Sequence, residues 1–125
     1  MVMFDLDGLK RINDVYGHNE GDQYIINASN LICSTFHADK RFRIGGDEFV
    51  AILFNKNLGD IQDLSKEFEE RIRKHNESAA VKISISYGYA IYNPLKDKSF
   101  SEVYARADAE MYACKKRKKL QMKWN

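Results

Sequence analysis

Two adjacent glycines, Gly45 and Gly46, stand between the strand-like runs Arg41 to Ile44 and Phe49 to Phe54, and they constrain the fold more than any other stretch of the chain. Paired glycines admit the positive φ angles of a tight turn, so the two runs read as an antiparallel hairpin. That removes a purely helical bundle and an all-parallel sheet. Around the hairpin the apolar period keeps switching. Val2, Phe4 and Leu6 alternate as in a strand, followed by a short helical pattern from Leu9 to Asn13. Tyr16 to Asp22 carries two glycines and several cap-prone residues, which predicts a loop opening the next helix. In that helix Ile25, Ala28, Ile32 and Phe36 mark a core-facing stripe, as Ile61, Leu64, Phe68 and Ile72 do in another, predicted to run from near Asp60 to near Asn76 and Glu77.

Val81, Ile83, Ile85, Tyr87 and Tyr89 then alternate as a strand. A turn near Asn93 and Pro94 leads to a last helix, striped by Val103, Ala107, Met111 and Cys114, for which Ser99 and Glu102 have capping-box spacing. The order strand, helix, helix, hairpin, helix, strand, helix predicts an α+β domain: a mostly antiparallel central sheet covered by helices. At 125 residues the chain suits one core rather than two, so 1–125 is taken as a single domain.

Composition excludes more than it specifies. No apolar run approaches the roughly 20 residues that span a bilayer, so no membrane contact is expected from this segment. The opening Met1-Val2-Met3-Phe4-Asp5 has no secretion-signal pattern and starts inside a strand, which predicts a piece of a longer, cytoplasmic protein. Cys33 and Cys114 lack metal-type spacing and read as buried free thiols. A net charge of +2 is too small to argue for nucleic acid. The basic run Lys115, Lys116, Arg117, Lys118, Lys119 and Lys123 reads from composition as a solvated helix end, with a phosphate site or a nucleic-acid tail as its alternatives.

Asp5 and Asp7 at a strand end, with Asp47 and Glu48 at a hairpin tip, supply the hard oxygen ligands that Mg²⁺ prefers. Two metals held there would favour phosphoryl transfer. Strand ends and turns also use these residue types for local reasons alone. Gly45 and Gly46 would let a bulky nucleotide approach the backbone. Gly8 opens a helix whose free N–H groups favour an anion, within reach of Lys10. Asn13 and Asp22 have hydrogen-bonding abilities complementary to a guanine edge, and both also suit helix ends. His18, His37 and His75 carry no partner pattern and read as locally satisfied side chains.

Taken together, Asp5-Leu6-Asp7-Gly8-Leu9-Lys10-Arg11-Ile12-Asn13-Asp14, Gly17-His18 with Gly21-Asp22, and Gly45-Gly46-Asp47-Glu48-Phe49 resemble the GGDEF domain of diguanylate cyclases in order and spacing. Ser84 to Gly88 and Ala107 to Lys115 extend the resemblance over nearly the whole chain. It implies a palm-like fold, two GTP condensed into cyclic di-GMP, two Mg²⁺ or Mn²⁺ per active site, and a homodimer whose facing domains each hold one GTP. It further implies that Asp5, the Leu6 carbonyl, Asp47 and Glu48 hold metal, that Glu48 helps deprotonate the attacking 3′-hydroxyl, that Asn13 and Asp22 read guanine, and that Lys10 and Lys115 bind phosphates. A sensor or regulatory domain is expected in the parent protein, which is itself able to be membrane-tethered.

Three departures accompany the resemblance. The family's phosphate-binding arginine falls at Lys119, preceded by Lys118 rather than glycine, which keeps charge but not the bidentate fork. The arginine of the product-inhibition motif falls at Phe36, with Asp39 retained, which predicts no feedback through that site. The segment that usually precedes the first strand is not in the chain. The rival readings are a non-catalytic GTP-binding regulatory module, disfavoured by intact Asp5, Asp47 and Glu48; a cyclase of mixed dinucleotides, disfavoured by Asp22; and a basic nucleic-acid binder, disfavoured by the lack of an aromatic stacking strand.

Overall fold

In the computed structural model, which describes the backbone of residues 1–124 and the side chains of residues 1–121, four strands form one antiparallel sheet ordered β2-β3-β1-β4. The elements are β1 (Val2–Leu6), α1 (Leu9–Tyr16), α2 (His18–Phe36), β2 (Lys40–Arg43), β3 (Glu48–Ile52), α3 (Leu58–Ser78), β4 (Ile85–Tyr89) and α4 (Phe100–Trp124). This is the expected α+β order, with every strand pairing antiparallel.

β1 lies between β3 and β4, and all five of its residues are buried because helices cover both faces. Side chains alternate across a strand. Val2, Phe4 and Leu6 therefore join one core with Ala28, Ile32 and Phe36 of α2 and Phe68 and Ile72 of α3. Phe4, Phe36 and Phe68 meet edge to face at centroid separations of 5.3 to 5.5 Å, a geometry favoured by the ring quadrupole. Met3 points the other way, into a smaller core with Val50, Val103, Ala107 and Met111 under α4. Asp5 shares the parity of Met3, so it too faces α4.

The expected loop from Tyr16 to Asp22 contracts to one corner residue. Gly17 (φ 93°) takes the chain directly from α1 into α2, its N–H bonding the Asn13 carbonyl, so Gly21 and Asp22 lie inside α2. Tyr24, rather than the half-buried Ile25, fills the core position in the first turns. The last strand starts at Ile85, not at Val81. Residues 83 and 84 give their backbone groups elsewhere: Asn76 bonds both the N–H and the carbonyl of Ile83, and the Tyr24 hydroxyl accepts from the Ser84 N–H. α3 begins at Leu58 under a reciprocal capping box of Asn57 and Asp60. At the start of α4, Glu102 accepts from the Lys98 N–H instead of from Ser99.

Gly88 of β4 is where α4 lies closest to the sheet: a Cβ there would fall 2.2 Å from the Met111 backbone nitrogen and 2.6 Å from the Ala107 carbonyl oxygen. This contact sets the height of α4 above β1. It thereby places the basic residues of α4 over the end of β1.

Candidate functional site

The site is assembled where β1 ends. Register pairs Asp5 with Glu48 across β1 and β3 and with Ser86 across β1 and β4, and the Leu6 N–H donates to the Asp47 carbonyl at 2.8 Å. The two acidic stretches, 42 positions apart, thus meet on neighbouring strands. Asp5 is 6 % exposed. Burial pushes its carboxyl above the usual range, outweighing the Lys115 ammonium that donates to Oδ2 at 2.8 Å, while Asp47 and Asp7 push it up further. Glu48 is raised by burial and then by Asp5, Asp47 and Asp108. Lys115 is raised by its bond to Asp5, the sign expected for a cation gaining a partner.

Asp5 Oδ1 is buried with no hydrogen-bond partner, the one such side-chain atom among the described residues. Buried polar atoms are ordinarily paired, and an orphaned carboxylate oxygen costs about 1–3 kcal/mol. Among the described residues no three His, Cys, Asp or Glu side chains converge as a finished metal cage. The donor set nevertheless fits a hard divalent cation: an unpartnered carboxylate oxygen beside two further carboxylates that raise its pKa, with Lys115 supplying positive charge in between.

Asp7 has a different setting. Its two carboxylate oxygens accept from Ser84 Oγ at 2.7 Å and Ser86 Oγ at 2.8 Å, with Lys118 Nζ at 3.3 Å. The Tyr24 hydroxyl donates toward the carbonyls of Asp7 and Ser84, both at 2.9 Å, and burial holds its pKa up to about 12, keeping it a donor. Asp7 is therefore the hub of a satisfied network that ties β1, β4, α2 and α4 together, leaving Asp5 as the carboxylate with free capacity. Alternating serines at 84 and 86 facing one side were the available signal for this network; Tyr24 and Lys118 had none.

The remaining candidates divide by face. Gly8 (φ 72°) turns the chain from β1 into α1, whose N-terminus has no side-chain cap. Lys10 and Asn13, three residues apart on α1, share a face. Asn13 lies on Gly21: a Cβ at Gly21 would come within 1.6 Å of Asn13 Oδ1. Asp22, the next residue along α2, is exposed. A Cβ at Gly45 or Gly46 meets nothing within 4 Å, so the space over the hairpin turn is open. Arg43 fixes the turn by donating to the Gly46 carbonyl at 2.8 Å.

Of the basic run, Lys115 and Lys118 point at the site and Lys119 is exposed beside them; the Lys123 side chain lies outside those described. A cavity of about 630 Å³ extends from Asp7 and Gly8 to Lys115, Lys118 and Lys119. A larger one, about 760 Å³, lies at the opposite end of the sheet under Met1, Ile52, Tyr89 and Phe100, and has no carboxylate in its lining.

The family model described as "Diguanylate cyclase, GGDEF domain" matches residues 1–121. The chain is 36 % identical over 118 residues to the bifunctional diguanylate cyclase/cyclic di-GMP phosphodiesterase MucR of Pseudomonas aeruginosa, covering 92 % of this chain and 17 % of that protein. It is 30 % identical over 122 residues to diguanylate cyclase DosC of Escherichia coli, covering 94 % of this chain and 26 % of DosC. The chain thus spans about a sixth of the length of MucR and about a quarter of that of DosC. Among solved structures, the active GGEEF domain of a diguanylate cyclase from Vibrio cholerae superposes with a TM-score of 0.78 at 27 % identity, over 93 % of this chain and 75 % of that one. The GGDEF domain of DgcB from Caulobacter crescentus, in complex with c-di-GMP, does so with a TM-score of 0.78 at 29 % identity, over 92 % and 70 %.

Proposed function

Because the chain belongs to the GGDEF-domain family of diguanylate cyclases, we propose that it is one half of a cyclase that condenses two GTP into cyclic di-GMP and two pyrophosphates. The observation that carries this reading is Asp5: buried, in register with Glu48, and keeping one carboxylate oxygen unpartnered.

In this reading Asp5, the Leu6 carbonyl, Asp47 and Glu48 hold divalent metal, two Mg²⁺ or Mn²⁺ per site. When bound, the metal supplies charge neutralisation of the leaving pyrophosphate and lowers the pKa of the attacking hydroxyl. Glu48, whose carboxyl already favours the proton more than an exposed glutamate does, takes the proton of the 3′-hydroxyl. The 3′-oxygen then forms its bond to the α-phosphorus of the GTP on the facing domain as the bond to pyrophosphate breaks, and the same exchange in the opposite sense closes the ring. Lys10, Lys115 and Lys119 meet the phosphates, with the uncapped start of α1 beside Gly8. Gly45 and Gly46 leave room for the nucleotide. Asn13 and Asp22 read guanine.

The protein is proposed to act as a homodimer and as one domain, residues 1–125, of a longer cytoplasmic protein carrying a sensor or regulatory domain. Among the described residues no helix is long and apolar enough to cross a membrane.

The guanine reading makes a specific prediction. Gly21→Ala is expected to leave stability unchanged or slightly raised, since Ala favours a helix by up to about 1 kcal/mol over Gly. It should nevertheless raise the KM for GTP about tenfold, the size of one lost hydrogen bond of about 1.4 kcal/mol, because Asn13 must leave its place. Steady-state rates against GTP concentration, with a thermal melt, check this; an unchanged KM removes Asn13 from base recognition.

The function itself is tested by incubating concentrated protein with GTP and Mg²⁺ and separating the nucleotides chromatographically, with EDTA as the control. Cyclic di-GMP and pyrophosphate that disappear with EDTA are the expected result. GTP binding without product, even when two copies are forced together, would replace the cyclase by a regulatory GTP-binding module.

A further inference from the structure

The ladder between β1 and β4 is built differently at its two ends. Opposed residues of a hydrogen-bonded antiparallel pair exchange both of their backbone bonds. At one end Met1 and Ala90 do so, each nitrogen donating to the other's carbonyl at 2.9 Å. At the other end Asp7 and Ser84, the pair that follows Leu6 and Ile85 in register, exchange one. The Asp7 N–H donates to the Ser84 carbonyl at 2.9 Å, but the Ser84 N–H donates to the Tyr24 hydroxyl at 3.0 Å. That hydroxyl lies 2.9 Å from the Asp7 carbonyl and 2.9 Å from the Ser84 carbonyl. It has one proton to give. The Ser84 carbonyl is already served by the Asp7 N–H, so the phenolic proton is needed at Asp7. The oxygen of Tyr24 thus stands inside the ladder, as a wedge where the last rung would close.

The wedge cannot withdraw by itself. Tyr24 is buried, and its helix is pinned to the sheet by Ala28, Ile32 and Phe36. What it fixes follows from the planarity of the peptide bond. The Asp7 carbonyl and the Gly8 N–H belong to one trans peptide and point in opposite directions, so holding the carbonyl on Tyr24 also aims the Gly8 N–H away from it. Gly8 then turns at φ 72° into α1, whose first N–H groups have no side-chain cap. The orientation of this turn is therefore set from α2, through one hydroxyl. Tyr24 forms part of the wall of the cavity that runs between Gly8 and residues 80–82.

Resting on the GTP-binding reading above, we propose that Tyr24 is a positioning residue for the triphosphate: its hydroxyl, inserted between Ser84 and Asp7, holds the Asp7–Gly8 peptide so that the start of α1 faces the outer phosphates. Tyr24 touches no nucleotide and acts through Gly8. Phenylalanine in its place would keep the ring in the core and remove the wedge alone. Asp7 and Ser84 would then close into the direct rung or be left unpaired, and in both cases the Asp7–Gly8 peptide turns. Asn13 and Asp22, the residues assigned to the base, depend on α1 and α2 packing together and not on this rung.

The test compares Tyr24→Phe with Thr35→Val for binding of a non-hydrolysable GTP analogue and of GMP, with Mg²⁺ present and a thermal melt of each variant. Thr35 is the control because it carries another buried hydroxyl of α2, bonded to the Leu31 carbonyl at 2.7 Å near the far end of the helix. The expected result is that Tyr24→Phe weakens the analogue about fivefold while GMP changes less than about twofold. Thr35→Val should lower the melting temperature and leave both ligands within about twofold, as a hydroxyl with a structural role alone would. In the unsubstituted protein the Gly8 amide resonance should shift when the analogue binds and stay in place with GMP. Equal weakening of both ligands by Tyr24→Phe, weakening of neither, or the same selective loss from Thr35→Val would overturn this inference and leave the GTP reading intact. If Tyr24→Phe does not fold, the Gly8 resonance decides: a shift with both ligands, or with neither, overturns the inference. An unsubstituted protein that binds the analogue no better than GMP would overturn the GTP reading and this inference with it.

Discussion

Glu48→Gln is expected to lower the rate of cyclic di-GMP formation about a thousandfold, within the range lost when a positioned acid–base group is removed, while the fold persists. Register places Glu48 opposite Asp5, and burial together with Asp5, Asp47 and Asp108 raises its pKa. Glutamine keeps the shape and removes a charge that its neighbours oppose, so structural damage is not the expected route to inactivity. The sign of the pH effect follows. A carboxyl whose folded pKa lies above its unfolded value adds stability while it is protonated in the fold, and that contribution is lost as pH rises through the raised value. Melts of parent and variant in EDTA should therefore diverge in favour of the variant as pH rises through the carboxylate range and run parallel above it. Initial rates at saturating GTP and Mg²⁺ give the catalytic half of the comparison; retention of more than a tenth of the parent rate would remove Glu48 from the proton transfer.

Gly88→Ala carries the largest expected cost in stability. Its added methyl would meet the backbone of α4 at Met111 and Ala107, where no rotamer change provides relief, so the helix has to lift. Overpacking of this kind costs about 1–3 kcal/mol and occasionally more. Here the upper end, about 3 kcal/mol, is expected, because lifting α4 also loosens Val103, Ala107 and Met111 from Met3 and Val50. That is a large part of the 5–15 kcal/mol typical of a domain. Urea unfolding measures it directly. A midpoint equal to that of the parent would mean that α4 slides at no cost and that its height is not set at Gly88. Activity should fall together with stability, since Lys115 rides on the same helix.

The framework was legible because its signals were local. The alternation of Val2, Phe4 and Leu6, the helical stripes of Phe36 and Phe68, and the Gly45-Gly46 hairpin each state a period or a turn within a few residues. What escaped depended on partners distant in sequence. Asn76 and Tyr24 take up the backbone groups of Ile83 and Ser84, shortening a strand whose alternation from Val81 looked continuous. Gly21 looked like a loop residue, whereas it sits inside α2 to accept Asn13. At the site, Asp5 and Asp7 carry the same side chain two positions apart, and no pattern within β1 separates them. Ser84, Ser86 and Lys118 do so by satisfying one and not the other. The basic run likewise resolves into inward and outward lysines only once the axis of α4 is fixed.

The ion pair between Lys115 and Asp5 joins residues 110 positions apart, and β1 lies between two strands that both follow it in the chain. During synthesis Asp5 therefore leaves the ribosome long before Glu48, Ser86 and Lys115, the partners it has in this fold. β1, apolar at four of its five positions and destined to be covered on both faces, must wait with open edges until β3 and then β4 arrive. Long-range pairing of this kind is slow, and unpaired strand edges invite association with other chains. A nascent copy is consequently at its most vulnerable before its charged site is assembled. The charged site at the end of β1 is complete only after α4 has emerged and docked, so the same helix that completes the charge pattern also ends the exposure of the strand.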